Sequence, residues 1–191
     1  VEHKALLVGA VVNGELRELT YPIRIESKVQ PVEMDSADGA RIYRRSLTFL
    51  LEKAFSELYP DGILYVDHSV ASGGYYCQVA GREPLNRLEI DALKSHMQKL
   101  IEADLSFERR EVPLGEAIEH FRSLGYEDKV QLLKHRKKNY LTLYRLADHM
   151  DYHHGYMVPS TGYLRVFDLV ITNGGFTLIY PRRQKPDELL P

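Results

Sequence analysis

Cysteine is nearly absent: Cys77 is the single thiol in 191 residues. That excludes an intramolecular disulfide and any zinc site built on two or more thiolates. Long hydrophobic runs are lacking too. None approaches the roughly 20 residues a bilayer-spanning helix needs, so no membrane partner is expected. The stretch from Val1 to Val12 lacks the basic start and extended apolar core of a signal peptide. A soluble, reducing, cytoplasmic setting is the expectation. Charge of one sign is also missing, with 25 Lys plus Arg against 27 Asp plus Glu and a net charge of -2. A protein that binds nucleic acid over its whole surface is strongly basic, so any such binding here must come from a local patch. Phosphate loops are missing as well. The sequence contains no G-x-x-x-x-G-K-[ST], no G-x-G-x-x-G and no G-x-S-x-G, and so no recognisable ATP site. The first residue is Val1 rather than Met, as expected of a fragment of something longer.

What is present is an ordinary globular composition, 44% hydrophobic and 27% charged. It excludes a disordered tail or a collagen-like repeat. Leu6 to Val12 is an apolar run followed by Asn13-Gly14, a strong hairpin signal. Extended pieces are expected as far as Met34, and Asp38-Gly39 reads as a boundary. Leu47, Leu50, Leu51, Ala54, Phe55 and Leu58 recur at helical spacing, which predicts a helix over 42–59. Pro60-Asp61-Gly62 stops it. A hairpin is expected across Ser72-Gly73-Gly74, and a second helix over 86–103. A strand over 107–112, helices over 113–124 and 128–133, and strands over 140–145 and 149–153 follow. A last hairpin turns at Asn173-Gly174-Gly175. The polar, proline-containing residues 183–191 read as a linker. Strands and helices interleave without a regular βαβ rhythm, which predicts an α+β fold with a largely antiparallel sheet.

The densest polar chemistry is His149-Met150-Asp151-Tyr152-His153-His154. On a strand, His149, Asp151 and His153 point to one face. Three readings stay open: polar residues satisfied by hydrogen bonds at an edge, a ligand cleft without metal, or a zinc-type site. The same set suits a general base with an orienting acid. His68, before a hairpin turn, reads as surface polar. Lys134-His135-Arg136-Lys137-Lys138 is a compact basic run. Its ordinary role is a solvated bend, and its alternative is phosphate contact with Tyr140 and Tyr144 nearby to stack on bases.

Several stretches together resemble threonyl-tRNA synthetase ahead of its catalytic core. They are Ile42-Tyr43-Arg44-Arg45-Ser46, Leu58-Tyr59-Pro60-Asp61-Gly62, Gly73-Gly74-Tyr75-Tyr76, Asp104 through Val112, Leu143-Tyr144-Arg145 and Val158-Pro159-Ser160-Thr161-Gly162. The resemblance covers about 41–182 and implies the domain that removes mischarged serine from tRNA. Residues 1–40 resemble part of the β-grasp (TGS) domain that precedes it. The resemblance also implies where editing chemistry should sit. Its His-x-x-x-His pair falls on Arg45 and Phe49, and its Cys and His four apart fall on His153 and Met157. Phe49 and Met157 can neither transfer protons nor bind zinc. Pocket positions at Lys129 and Asp151 are kept, while an acidic pair before the hairpin is Ala71-Ser72. His149 replaces an aromatic residue, so His149, Asp151 and His153 form a candidate rebuilt site.

The same arrangement, with altered histidines, resembles the region ahead of the P-loop domain in bacterial uridine kinase-related proteins. Ile42 to Leu47 and the polar exit Pro181 to Pro191 carry that likeness. It implies an attached kinase domain, holding ATP and Mg, beyond Pro191. Three functions are open. The first is an accessory module whose cleft, at Arg45, Phe49, His68, Lys129, His149, Asp151, His153 and Met157, binds a nucleoside, a nucleotide or a tRNA end. The second is an editing-type hydrolase using His149, Asp151 and His153, with or without metal. The third is a structural spacer. All three lean on the expectation that Arg45, Phe49, His153 and Met157 surround a common hollow.

Overall fold

The computed structural model describes residues 5–71 and 73–189. Ser72 of the expected hairpin turn, the first four residues and the last two of the expected linker lie outside the described residues. The chain divides into two compact units. The first runs to Ser106 and resumes at Gly155, and the second is Phe107–His154. All strand pairing is antiparallel, in sheets of three, four and three strands with four α-helices among the described residues. The fold is therefore α+β, as the irregular alternation of elements predicts. No helix among the described residues is long and apolar enough to cross a membrane.

In the first unit, β1 (Leu7–Val12) pairs with β2 (Glu15–Arg17) and β3 (Val29–Glu33). Asn13 and Gly14 take φ of +51° and +86°, the paired left-handed conformations a two-residue hairpin requires. Helix α1 (Ala37–Leu58) begins five residues earlier than the periodicity suggests. The Ser36 hydroxyl accepts the Gly39 amide at 3.0 Å and caps the helix. Asp38-Gly39 is thus inside the first turn rather than at a boundary. Gly39 is required there because a side chain would strike the Glu33 carbonyl.

Strands β4 (Ile63–Val70), β5 (Gly74–Ala80), β9 (Asp168–Thr172) and β10 (Gly175–Ile179) form the four-stranded sheet in the order β4-β5-β10-β9. Helix α2 (Arg87–Glu102) opens on a capping box between Asn86 and Glu89. It packs against α1 and β9, and Lys94 pairs with Asp168 at 2.7 Å. The core of this unit is built from α1 residues such as Leu47, Phe49, Leu50, Leu51 and Ala54, with Leu93, Met97, Cys77, Phe176 and Leu178 from the other elements, all buried. The residues after Pro181 are not wholly extended: Arg182 bridges to Lys185, and Lys185 pairs with Glu188.

In the second unit, β6 (Phe107–Pro113), β7 (Tyr140–Leu146) and β8 (His149–Asp151) form a sheet in that order. Helices α3 (Leu114–Ser123) and α4 (Glu127–Lys134) cover it. Val112, Ala117, Phe121, Val130, Leu133, Leu141 and Leu143 form its core, with Met150 and Tyr152 packed alongside. The expected strand over 149–153 is shorter than its alternation suggests, ending at Asp151. The Asp151 side chain takes the Tyr152 amide itself, at 2.6 Å, so that amide is not available to continue the ladder.

Candidate functional site

The sequence-predicted positions fall on both units. Arg45, Phe49, His68 and Met157 lie in the first, and Lys129, His149, Asp151 and His153 in the second.

In the first unit, Arg45 and Phe49 are one turn apart on α1, so they share a face. The Arg45 guanidinium donates to the Tyr156 carbonyl at 2.6 Å. It also covers Gly155, whose φ is +96°, and a Cβ there would lie 2.7 Å from the guanidinium carbon. The next residue, Ser46, is fully buried. Its hydroxyl accepts the Val158 amide at 2.9 Å and donates to the Ile42 carbonyl at 2.8 Å. Two successive α1 residues therefore lace the segment Gly155–Val158 to the helix. Phe49 and Met157 are 0% and 1% exposed. Both are core residues: Phe49 has no lone pair to offer, and the Met157 thioether is a buried, weak acceptor with no proton to give. Arg45 keeps its charge at all accessible pH and is no general base.

Tyr156 reaches a further partner, since Arg17 on β2 donates to its hydroxyl at 3.3 Å. Close by on the sheet, Tyr75 and Tyr180 pair their rings at 5.2 Å, and Arg44 lies 5.2 Å over the Tyr180 ring. Burial and the neighbouring Tyr180 push the Tyr75 hydroxyl up, against Arg44 and Arg45. His68 sits on β4, largely exposed, with its ring 5.4 Å from Tyr76 and its Nδ1 at 3.0 Å from Asp67. The only thiol is inert: burial pushes Cys77 up to about 12.

In the second unit, Lys129 and Asp151 do meet. The ammonium donates to Asp151 Oδ2 at 2.5 Å. It also lies 5.2 Å over the Phe121 ring and 4.7 Å over that of Tyr126. Two aromatic faces and one carboxylate hold this cation. Asp151 Oδ1 accepts the Tyr152 amide, so both carboxylate oxygens have partners. His149 and Asp151 alternate onto one face of β8. His153 follows the strand end and is outside that alternation. His154 is exposed and set edge-on to Tyr152, with ring centroids 4.8 Å apart. His120 contacts the Met150 carbonyl at 3.3 Å.

Sequence reasoning missed Gly155 and Tyr156, which seat Arg45, and Phe121, Tyr126 and His120 in the second unit. A glycine directly after His153-His154 was one visible signal, since a glycine between elements often marks a positive φ. Tyr126 stands three residues before Lys129, within helical reach, but nothing in the spacing linked Lys129 to Phe121 on α3.

No family model matches the chain. Curated proteins do. It is 31% identical to threonine–tRNA ligase of Lawsonia intracellularis over 176 residues, which is 92% of this chain and 27% of that protein. For the Legionella pneumophila ligase the identity is 33% over 174 residues, 91% of this chain and 27% of the ligase. For that of Thermotoga maritima it is 30% over 171 residues, 88% and 26%. The chain spans about a quarter of the length of these relatives. Over about nine tenths of its length, the chain is thus homologous to one segment of threonine–tRNA ligase.

Proposed function

We propose that this chain is a non-catalytic accessory region that binds an RNA end, or the nucleoside that terminates one. The homology to a segment of threonine–tRNA ligase supports a tRNA-related role. The observation that carries the non-catalytic reading is the fate of the positions where the resemblance puts editing chemistry. Phe49 and Met157 are buried apolar residues. Arg45 is engaged by the Tyr156 carbonyl above Gly155. The retained Lys129–Asp151 pair leaves a cation able to meet a phosphate or ribose oxygen. Each Asp151 oxygen already accepts a hydrogen bond, from Lys129 and from the Tyr152 amide, so this carboxylate serves as a structural acceptor. That occupancy favours binding over the rebuilt hydrolase of His149, Asp151 and His153.

The proposal has a second part: the region belongs to a uridine kinase-related protein whose P-loop domain, with ATP and Mg, lies outside these residues. The likeness of Ile42 to Leu47 supports it. The gene sequence past Pro191 tests it, since a G-x-x-x-x-G-K-[ST] motif is expected and a synthetase catalytic core would contradict it. The binding part is tested by calorimetry with nucleosides, nucleotides and tRNA. Heat with at least one of them is expected, reduced tenfold or more in affinity by Lys129→Met. No heat with any of them would contradict the reading.

A further inference from the structure

The second unit carries a patch that the binding reading above does not use. No Asp or Glu occurs between Asp128 and Asp148, while Lys134, Arg136, Lys137, Lys138 and Arg145 all fall in that stretch. Four of these cations cluster in the bend from the end of α4 to the start of β7. Lys134, Lys137 and Lys138 are exposed and Arg136 half-buried.

The ion pairs of this unit make the contrast. Arg110, Arg122, Lys129 and Arg145 are each paired with a carboxylate. Among the described residues, Lys134, Arg136, Lys137 and Lys138 have no such pair; Lys134 contacts only the neutral Gln131 amide. An unneutralised cluster repels itself, and it persists at low cost only where counterions or a polyanion screen it.

The bend is also shaped. Arg136 Nε donates to the Tyr140 carbonyl at 3.2 Å, which closes the turn. Its guanidinium lies 5.9 Å over the Tyr152 ring, and the Lys138 ammonium 5.5 Å over that of Tyr140. Tyr140 is 41% exposed. Cations set beside partly exposed tyrosine rings are the combination that tracks a phosphate backbone while offering a stacking face to a base.

We propose that the bend Lys134–Lys138, with Tyr140, is an anchoring surface for the phosphodiester backbone of RNA. Phosphate recognition rests on the charge and ring geometry. The choice of RNA over another polyanion rests on the tRNA-related reading above. Among the described residues, Leu132 is the one large aliphatic side chain exposed next to the bend, and with Tyr140 it does not make the apolar face that a lipid surface would need.

The test compares the 191-residue chain with its Lys134→Ala/Lys137→Ala/Lys138→Ala variant. All three side chains are exposed and none is paired with a carboxylate, so the fold is expected to be kept, and an unchanged thermal midpoint verifies it. The probes are an RNA hairpin with an unpaired 3′ tail, adenosine, vesicles of anionic phospholipid, and polyglutamate. RNA affinity is measured across a salt series. The expected result is a weaker salt dependence in the variant, its log–log slope smaller by about 2 to 3 because up to three phosphate contacts are lost. Affinity at low salt should fall at least tenfold, and adenosine binding should stay unchanged. An RNA slope identical in both proteins, with adenosine still bound, overturns the anchoring surface and leaves the binding reading intact. Vesicles or polyglutamate bound in preference to RNA also overturn it. No binding of RNA or adenosine by either protein overturns both together.

Discussion

The guanidinium of Arg45 lies over Gly155, 2.7 Å from where a side chain there would begin. One residue on, the same guanidinium holds the Tyr156 carbonyl. The two residues are 110 positions apart in sequence yet fit as a pair. An arginine at position 45 needs a bare backbone opposite, and the φ of +96° at Gly155 needs a residue without a Cβ. This pairing turns the first position of the expected editing signature into a clasp.

The clasp makes a thermodynamic prediction. Gly155→Ala should destabilise the chain by about 1–3 kcal/mol, from backbone strain plus the clash with Arg45. With Arg45→Ala already present, the clash vanishes and only strain remains, so the cost should shrink. Urea denaturation of the four members of this double-mutant cycle measures the coupling. Additive costs would show that the two residues are independent.

The converted core predicts that chemistry cannot be restored by putting a histidine back. Phe49 is wholly buried. Phe49→His should cost about 2–4 kcal/mol, from lost ring packing and a buried imidazole. No gain in seryl-tRNA deacylation should accompany it. Thermal and urea unfolding measure the first effect and a radiolabel release assay the second.

Ser46 offers a sharper stability test. It is fully buried and serves the Val158 amide. Ser46→Ala leaves that buried N–H without its partner, at about 1–3 kcal/mol. Ser46→Thr keeps the hydroxyl and should recover part of the loss. Equal loss in both variants would mean that packing, not the hydrogen bond, sets the cost.

Acid should loosen the joint between α1 and α2. Partial burial pushes the Glu57 carboxyl up, but Lys53 at 2.8 Å and His96 at 2.7 Å more than offset it, and the carboxyl lies below its ordinary range. A carboxylate depressed in the folded state stabilises above the unfolded value, about 4.3 for Glu, and loses that contribution as pH falls through the lower folded value. Urea midpoints from pH 7 to pH 3 should therefore decline more steeply below about pH 4.3 in the natural chain than in Glu57→Gln. Parallel curves would contradict the assignment.

Local chemistry was readable where one segment contained all of it. The Asn13-Gly14 hairpin closes within a few residues, and the helix expected over 86–103 opens at the Asn86 cap. The start of α1 was not readable in the same way, because Asp38-Gly39 has turn composition. The Ser36 cap and the close approach of Glu33 to Gly39 decide it instead. The strand at His149 was read too long because alternation alone does not show that Asp151 takes the next amide. The lacing of α1 to Gly155–Val158 joins residues more than 100 positions apart, and periodicity is blind to that separation. The Lys129–Asp151 pair entered through a resemblance, but its Phe121 and Tyr126 cage is set by the packing of α3 and α4 on their sheet.

The most direct test of a binding region without editing chemistry follows one sample of seryl-tRNA mixed with excess chain. Bound fraction and ester hydrolysis are read from the same aliquots over time. The account predicts a saturable bound fraction, with serine released no faster than in buffer alone. Release faster than that background, and abolished by His153→Ala, would contradict it.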